Sequence, residues 1–215
     1  MAEHGRPFSD EMVRAIMAKH KTRTMRPVSW RNSTVDGHGI GHRGPMKHFW
    51  DELRFEEAVV NRGFLAGPNT EYLSVPRYEG CDRLVHRVRA RISEEDTIWV
   101  REAHHLLSAT SERQPVLYRA SNDRGVSRWT PSIHMPRSAA RLLLLVTSVY
   151  PQRPSQVSPS QALAEGIEHT EIGQRSLREC HVSPDMALRE LLARIYGPGY
   201  RWYWVYEWSE VQHER

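Results

Sequence analysis

The sequence predicts an α+β fold built on a small β-barrel, and three observations carry that expectation. Short β-prone segments follow one another between turns through the middle of the chain. One stretch, Arg141 to Tyr150, holds a continuous apolar run from Leu142 to Val146, as a strand buried on both faces does. Well-signed helices stand near both ends and supply the covering layer.

The elements follow in order. Ser9 is a helix N-cap, with Asp10 and Glu11 in the first turn, where the macrodipole favours acids. Met12, Val13, Ile16 and Met17 form an apolar stripe, and Lys19 falls in the last turn. The segment Lys21-Thr22-Arg23-Thr24-Met25-Arg26 alternates and is β-prone, and Pro27 ends it. Residues 28 to 48 are rich in Gly, Ser, Asn and His, so the region from about 28 to 70 reads as an inserted loop region, with a short helix over Phe49 to Val60. Strands are expected at Tyr72 to Val75, Leu84 to Val88, Thr97 to Glu102 and Val116 to Ala120, before the long one. Ser158-Pro159-Ser160-Gln161 is a capping box with proline at the first helical position, and Gly166 ends that helix. Ser183-Pro184 opens the next, whose buried stripe is Leu188, Leu191, Leu192 and Ile195 and whose stop is Gly197. An aromatic strand, Arg201 to Trp208, closes the fold. With no internal repeat and no low-complexity tract, residues 1–215 read as one domain.

Composition excludes several function classes. Hydrophobic residues make up 39% of the 215 and charged residues 26%, which suits a globular chain and not a disordered one. The longest apolar run is far too short to cross a bilayer. Glu3, Arg6, Asp10 and Glu11 stand where a signal peptide needs an apolar stretch, so a cytoplasmic protein without a membrane partner is expected. There Cys81 and Cys180, far apart in sequence, stay reduced. The net charge is +4, and all but three of the 30 basic residues are arginine. Arginine offers a planar fork for phosphates and a flat face for bases, although a GC-rich gene produces the same bias. Gly39-Ile40-Gly41-His42-Arg43-Gly44 has no strand before it and Pro45 after it, so it lacks the setting of a dinucleotide loop. His38, His42 and His48 with Cys81 match no zinc spacing, and neither metal nor cofactor is expected. His104-His105 reads as a surface loop or strand end.

Five segments in a fixed order carry a family resemblance. They are Phe8 to Ile16 ending in Lys21-Thr22-Arg23-Thr24-Met25-Arg26; Ile98-Trp-Val-Arg-Glu102; Trp129-Thr-Pro-Ser-Ile-His-Met-Pro-Arg137; Ala164-Glu165-Gly166; and Trp202-Tyr-Trp-Val-Tyr-Glu207. Together the chain resembles ASCH-domain proteins of the PUA-like superfamily, especially the branch common in phages and prophages. The resemblance implies a PUA-like barrel whose cleft faces RNA or a nucleobase. Some small members hydrolyse the acetyl amide of N4-acetylcytidine, and one other is a ribonuclease. In the amidohydrolase branch a Lys and a Thr of a K-x-x-T segment act with a Glu after the central strand; here these positions are Lys21, Thr24 and Glu165. The chain departs from the pattern in having Glu95-Asp96 for the usual Gly-Asp turn and Ser138 after Met-Pro-Arg. It is also about twice as long as the compact amidohydrolases.

The residue types suit that chemistry. Thr24 offers a hydroxyl nucleophile, Lys21 a proton acceptor or an oxyanion partner, and Glu165 a proton shuttle to a leaving amine. Because residues 21 and 24 of one regular strand face opposite ways, Lys21 must sit in the turn before the strand. Glu165 stands at a helix C-terminus, the end where the dipole disfavours a carboxylate. Arg23, Arg26, Arg137 and Arg141 are candidates for phosphate contact and Trp129 for base stacking. Trp99, Trp202 and Trp204 alternate with polar residues and are expected in the core or the barrel lining rather than as stacking platforms. The expected partner is RNA, single-stranded nucleic acid or a modified nucleoside. The rivals are an amidohydrolase on an acylated pyrimidine nucleoside and a non-enzymatic phage accessory protein that binds a protein; neither the ligand nor the oligomeric state is encoded in any motif.

Overall fold

The computed structural model describes residues 1–29, 31, 33–35, 53–62, 71–76, 85–107, 116–121, 126–199 and 202–213. The Gly39–Gly44 motif, the histidines at 38, 42 and 48, and Cys81 lie outside them.

Eleven strands and four α-helices are described. The strands are β1 (Glu3–Pro7), β2 (Arg23–Pro27), β3 (Ser33–Val35), β4 (Val59–Arg62), β5 (Glu71–Pro76), β6 (Val85–Ala90), β7 (Thr97–Arg101), β8 (His104–Leu106), β9 (Val116–Tyr118), β10 (Leu142–Gln152) and β11 (Tyr203–His213). The helices are α1 (Asp10–Met17), α2 (Pro159–Ala164), α3 (Glu171–Arg178) and α4 (Pro184–Tyr196). The main sheet runs β1-β7-β10-β11-β2, a second runs β3-β6-β5-β4, and β8 pairs with β9. Among the described residues only the β1–β7 ladder is parallel.

The sheets and helices make a layered α+β structure with the main sheet in the middle. On one of its faces Met25, Tyr203 and Val205 pack against Ala162 of α2 and Ala187, Leu188 and Leu191 of α4. On the other, Leu142, Leu144, Val149 and Trp204 meet Leu73, Val75 and Val88 of the second sheet. Trp204 Nε1 donates to Ser33 Oγ at 2.8 Å and Trp202 Nε1 to the Phe55 carbonyl at 3.0 Å, so the aromatic strand ties the two sheets by polar as well as apolar contact. Leu142, Leu143 and Leu144 are all buried, as a strand covered on both faces requires.

The expected barrel is not closed among the described residues: β1 and β2 remain the edges of the main sheet. The outward amides of β2 and of the turn before it are already used, because Thr22 N–H donates to Ala164 O at 2.9 Å and Met25 N–H to Glu165 Oε1 at 3.0 Å. What joins the two edges is a side chain: Arg26 donates from an η-nitrogen to Pro7 O at 2.8 Å.

Three expectations about elements are corrected. The helix over Phe49 to Val60 is a single 3₁₀ turn, Phe55–Glu57, followed by β4, and residues 49–52 lie outside the description. The inserted region is not only loop, since β3 and β4 pair with β6 and β5 and extend the second sheet. His104 opens β8, the strand end that was one of its two expected settings, but it is buried rather than at the surface. No helix of the described residues is long and apolar enough to cross a membrane.

Candidate functional site

The site is assembled where α1 hands over to β2. After Met17 the chain leaves the helix through Lys19 at φ 60°, and the amides of His20 and Lys21 both donate to Ala15 O. Lys21 thus lies in the turn before β2, which begins at Arg23, and the geometric condition on a Lys21–Thr24 pair is met. The turn carries the lysine inward until its side chain is 2% exposed.

Glu165 reaches the same point from the far end of the chain. The capping box forms as expected, with Gln161 N–H donating to Ser158 Oγ at 3.2 Å and Ser158 N–H to Gln161 Oε1 at 3.0 Å. The helix stops at Gly166, whose φ of +83° and 3.3 Å approach of a would-be Cβ to Lys21 Cβ both favour glycine. Lys21 Nζ donates to the Glu165 carbonyl at 2.5 Å and to its Oε1 at 3.0 Å. A cation and an amide therefore sit on carbonyls that the helix end leaves open, and offset the dipole that opposes Glu165. The other oxygen, Glu165 Oε2, is buried without a hydrogen-bond partner; Arg23 Nε lies 3.9 Å away, too far to donate.

Burial pushes the Lys21 ammonium well below the ordinary lysine range, and Arg26 and Arg23 push the same way against the pull of Glu165. Lys21, Thr24 and Glu165 line one cavity of about 350 Å³. Its apolar wall comes from Phe8, Met12, Leu188 and Leu191, and Arg26 also lines it. Arg26 donates to Tyr196 Oη at 3.2 Å and stacks over the Phe8 ring at 5.1 Å.

The remaining candidates are dispersed. Arg23 does not line the cavity: it is buried behind it, donating to Gln152 Oε1 at 2.7 Å and lying 3.6 Å from Glu207. Its side-chain hydrogen bond goes to the Gln152 amide, and buried in this way it is not placed to meet a phosphate. Trp129 lines a neighbouring cavity of about 360 Å³ with Arg119, and the two cavities share Pro7, Phe8 and Ser9. Arg137 forks onto Glu3 at 2.7 and 2.9 Å. Arg141 forks onto the buried Glu102 at 2.8 Å for each bond and lies over the Tyr118 ring. Both guanidinium groups are committed to structural carboxylates. Met135 is a core plug that also accepts from Glu102 N–H through its sulfur.

Sequence reasoning missed Phe8, Tyr196 and the α4 face as walls, and it missed β1 entirely. A strand spelled Glu-His-Gly-Arg-Pro lacks apolar alternation, and only its docking beside β7 makes it β.

No family model matches the chain, and no curated protein and no solved structure matches it.

Proposed function

We propose that this is a PUA-like protein of ASCH type, associated with nucleic acid, and that the cavity at Lys21, Thr24 and Glu165 receives a nucleobase. The observation that carries the reading is convergence. Three positions singled out by the sequence resemblance, two of them separated by more than 140 residues, line one cavity with Lys21 bound to Glu165. Glu165 brings a carboxylate acceptor to the cavity wall, and the Lys21 ammonium and Thr24 hydroxyl beside it can meet the adjoining carbonyl or ring nitrogen of a base edge. Apolar walls with a few convergent polar groups are what such a ligand needs, and the volume lies at the small end of the ligand range, ~300–1,000 Å³. Glu95 adds support: it adopts φ 68°, the conformation glycine takes freely, at the position of the family's Gly-Asp turn.

Equilibrium titration with cytidine, uridine and adenosine tests the reading. At least one nucleoside should bind the wild type, and Glu165→Gln should weaken it about tenfold or more by replacing a charged acceptor. No binding by any nucleoside or short RNA at low salt counts against it.

A second reading is favoured by the depressed basicity of Lys21: hydrolysis of an acyl amide on a pyrimidine such as N4-acetylcytidine. Lys21, whose basicity burial lowers, takes the Thr24 proton as Oγ attacks the acyl carbon. The tetrahedral intermediate expels the amine, protonated through Glu165, and water then cleaves the acyl ester of Thr24. Turnover by the wild type that Lys21→Ala and Thr24→Ala each abolish establishes it; binding without turnover leaves a recognition pocket.

A further inference from the structure

We propose a second site: the cavity between β1 and the β3–β6 edge of the second sheet binds a phosphate group, gripped by Arg6, Arg89 and Arg91. The cavity measures about 570 Å³, and His4, Thr34 and Ser93 line it beside the three arginines. Glu71 and Glu94 line it too, so three guanidinium groups and an imidazole face two carboxylates.

Arg6 is the centre of the argument. It is partly buried, its Nε is shut away from solvent without a hydrogen-bond partner, and among the described residues no carboxylate pairs with it. Burial pushes its guanidinium below the ordinary range, and Arg26 and Arg91 add to that push against Tyr206. A partly desolvated guanidinium with no carboxylate paired to it is costly unless an anion joins it, and Arg6 is such a group.

The frame around it is rigid. His4 and Arg6 project from the same face of β1, and His4 is held by Asp96 at 3.2 Å. Arg91 Nε donates to Ser33 O at 3.0 Å, which fixes its fork. Several forks and two hydroxyls together call for more acceptors than the two oxygens of a carboxylate; a phosphate supplies them and is matched bidentately by guanidinium. Both Arg91 here and Arg26 of the Lys21 cavity act electrostatically on Arg6, so a nucleotide is one source of the phosphate and free phosphate the other.

The site stands independently of the nucleobase reading, and one calorimetric series separates them. Inorganic phosphate, cytidine and cytidine 5′-monophosphate are titrated at low ionic strength into the wild type, Arg6→Gln, Arg91→Gln and Arg175→Gln, the last altering an exposed arginine elsewhere. Phosphate should bind the wild type and Arg175→Gln saturably, and both cavity variants should weaken it by about tenfold or more. Circular dichroism checks folding; if Arg6→Gln is not folded, Arg91→Gln decides. Tighter binding of the monophosphate than of either part assigns the phosphate to a nucleotide, and equal binding of monophosphate and phosphate assigns it to the free ion. Phosphate binding with no cytidine binding removes the nucleobase reading alone. Absence of saturable phosphate binding, or equal loss in all three variants, or loss in none, overturns the site.

Discussion

Two side chains pay visibly for where they stand. Tyr206 is buried with its hydroxyl unpartnered, and burial raises its pKa above the ordinary 10.0. A raised folded-state pKa gives stability that is whole below pH 10, the unfolded value, and is lost as pH climbs through the folded one. Tyr206→Phe should therefore stabilise the protein at neutral pH by about 1 kcal/mol, and its advantage in urea unfolding should widen above pH 10. Equal or lower stability of the variant at neutral pH would show that the hydroxyl has a partner in solution. Glu95 is the other case. Its exposed side chain sits on backbone at φ 68°, so Glu95→Gly should raise stability by roughly 0.5–1 kcal/mol despite glycine's larger unfolded-state entropy. Thermal unfolding checks the direction, and a lower midpoint would mean that the carboxylate contributes an interaction the turn needs.

Helix α2 is the element that builds the site, through its last residue Ala164, the Glu165 that caps it and its stop at Gly166. Gly166→Ala sets a Cβ 3.3 Å from Lys21 Cβ on backbone at φ +83°. It should cost about 1–2 kcal/mol in chemical denaturation. It should also weaken ligand binding by more than that stability loss explains, because Glu165 shifts with the helix end. Unchanged affinity in a destabilised variant would detach the helix stop from the site. This helix was legible in advance because its capping box, proline and glycine act locally, within a few residues. The same holds for α1, for the apolar run of β10 and for α4, except that Ile195, expected in its buried stripe, is exposed beyond the packed face. What was not legible depends on partners distant in sequence. β1 is a strand because β7 offers it an edge, α3 carries no strong cap signature beyond Thr170, and β3 and β4 are held by β6 and β5. Phe55–Glu57 is a single turn because Val59 and Val60 are drawn into a ladder.

The whole molecule explains why some candidate residues met and others parted. Lys21, Thr24 and Glu165 came together because β2 is an edge strand whose free amides capture a helix terminus, a relation no local pattern encodes. Arg137 and Arg141 left the set because Glu3 and Glu102 claim them, and partners so far along the chain are invisible to spacing. The net charge of +4, carried mostly by arginine, bears on partners at this scale. If the cavities serve a nucleic-acid strand, the affinity for single-stranded RNA should fall with added salt, with a logarithmic slope of about −0.7 for each phosphate engaged. Arg6→Gln should make that slope shallower by roughly one contact, whereas Glu165→Gln should lower affinity without changing it. A slope unchanged by Arg6→Gln would place the strand elsewhere on the surface.

The most direct test is a nucleoside titration followed by NMR at the side-chain ammonium of Lys21 and the backbone amides of Thr24 and Met25. A saturable shift of these signals with at least one nucleoside, absent in Glu165→Gln, is the predicted result. Signals that stay fixed while every nucleoside is added, or shifts confined to Trp129 and its neighbours, would contradict the assignment of this cavity to a nucleobase.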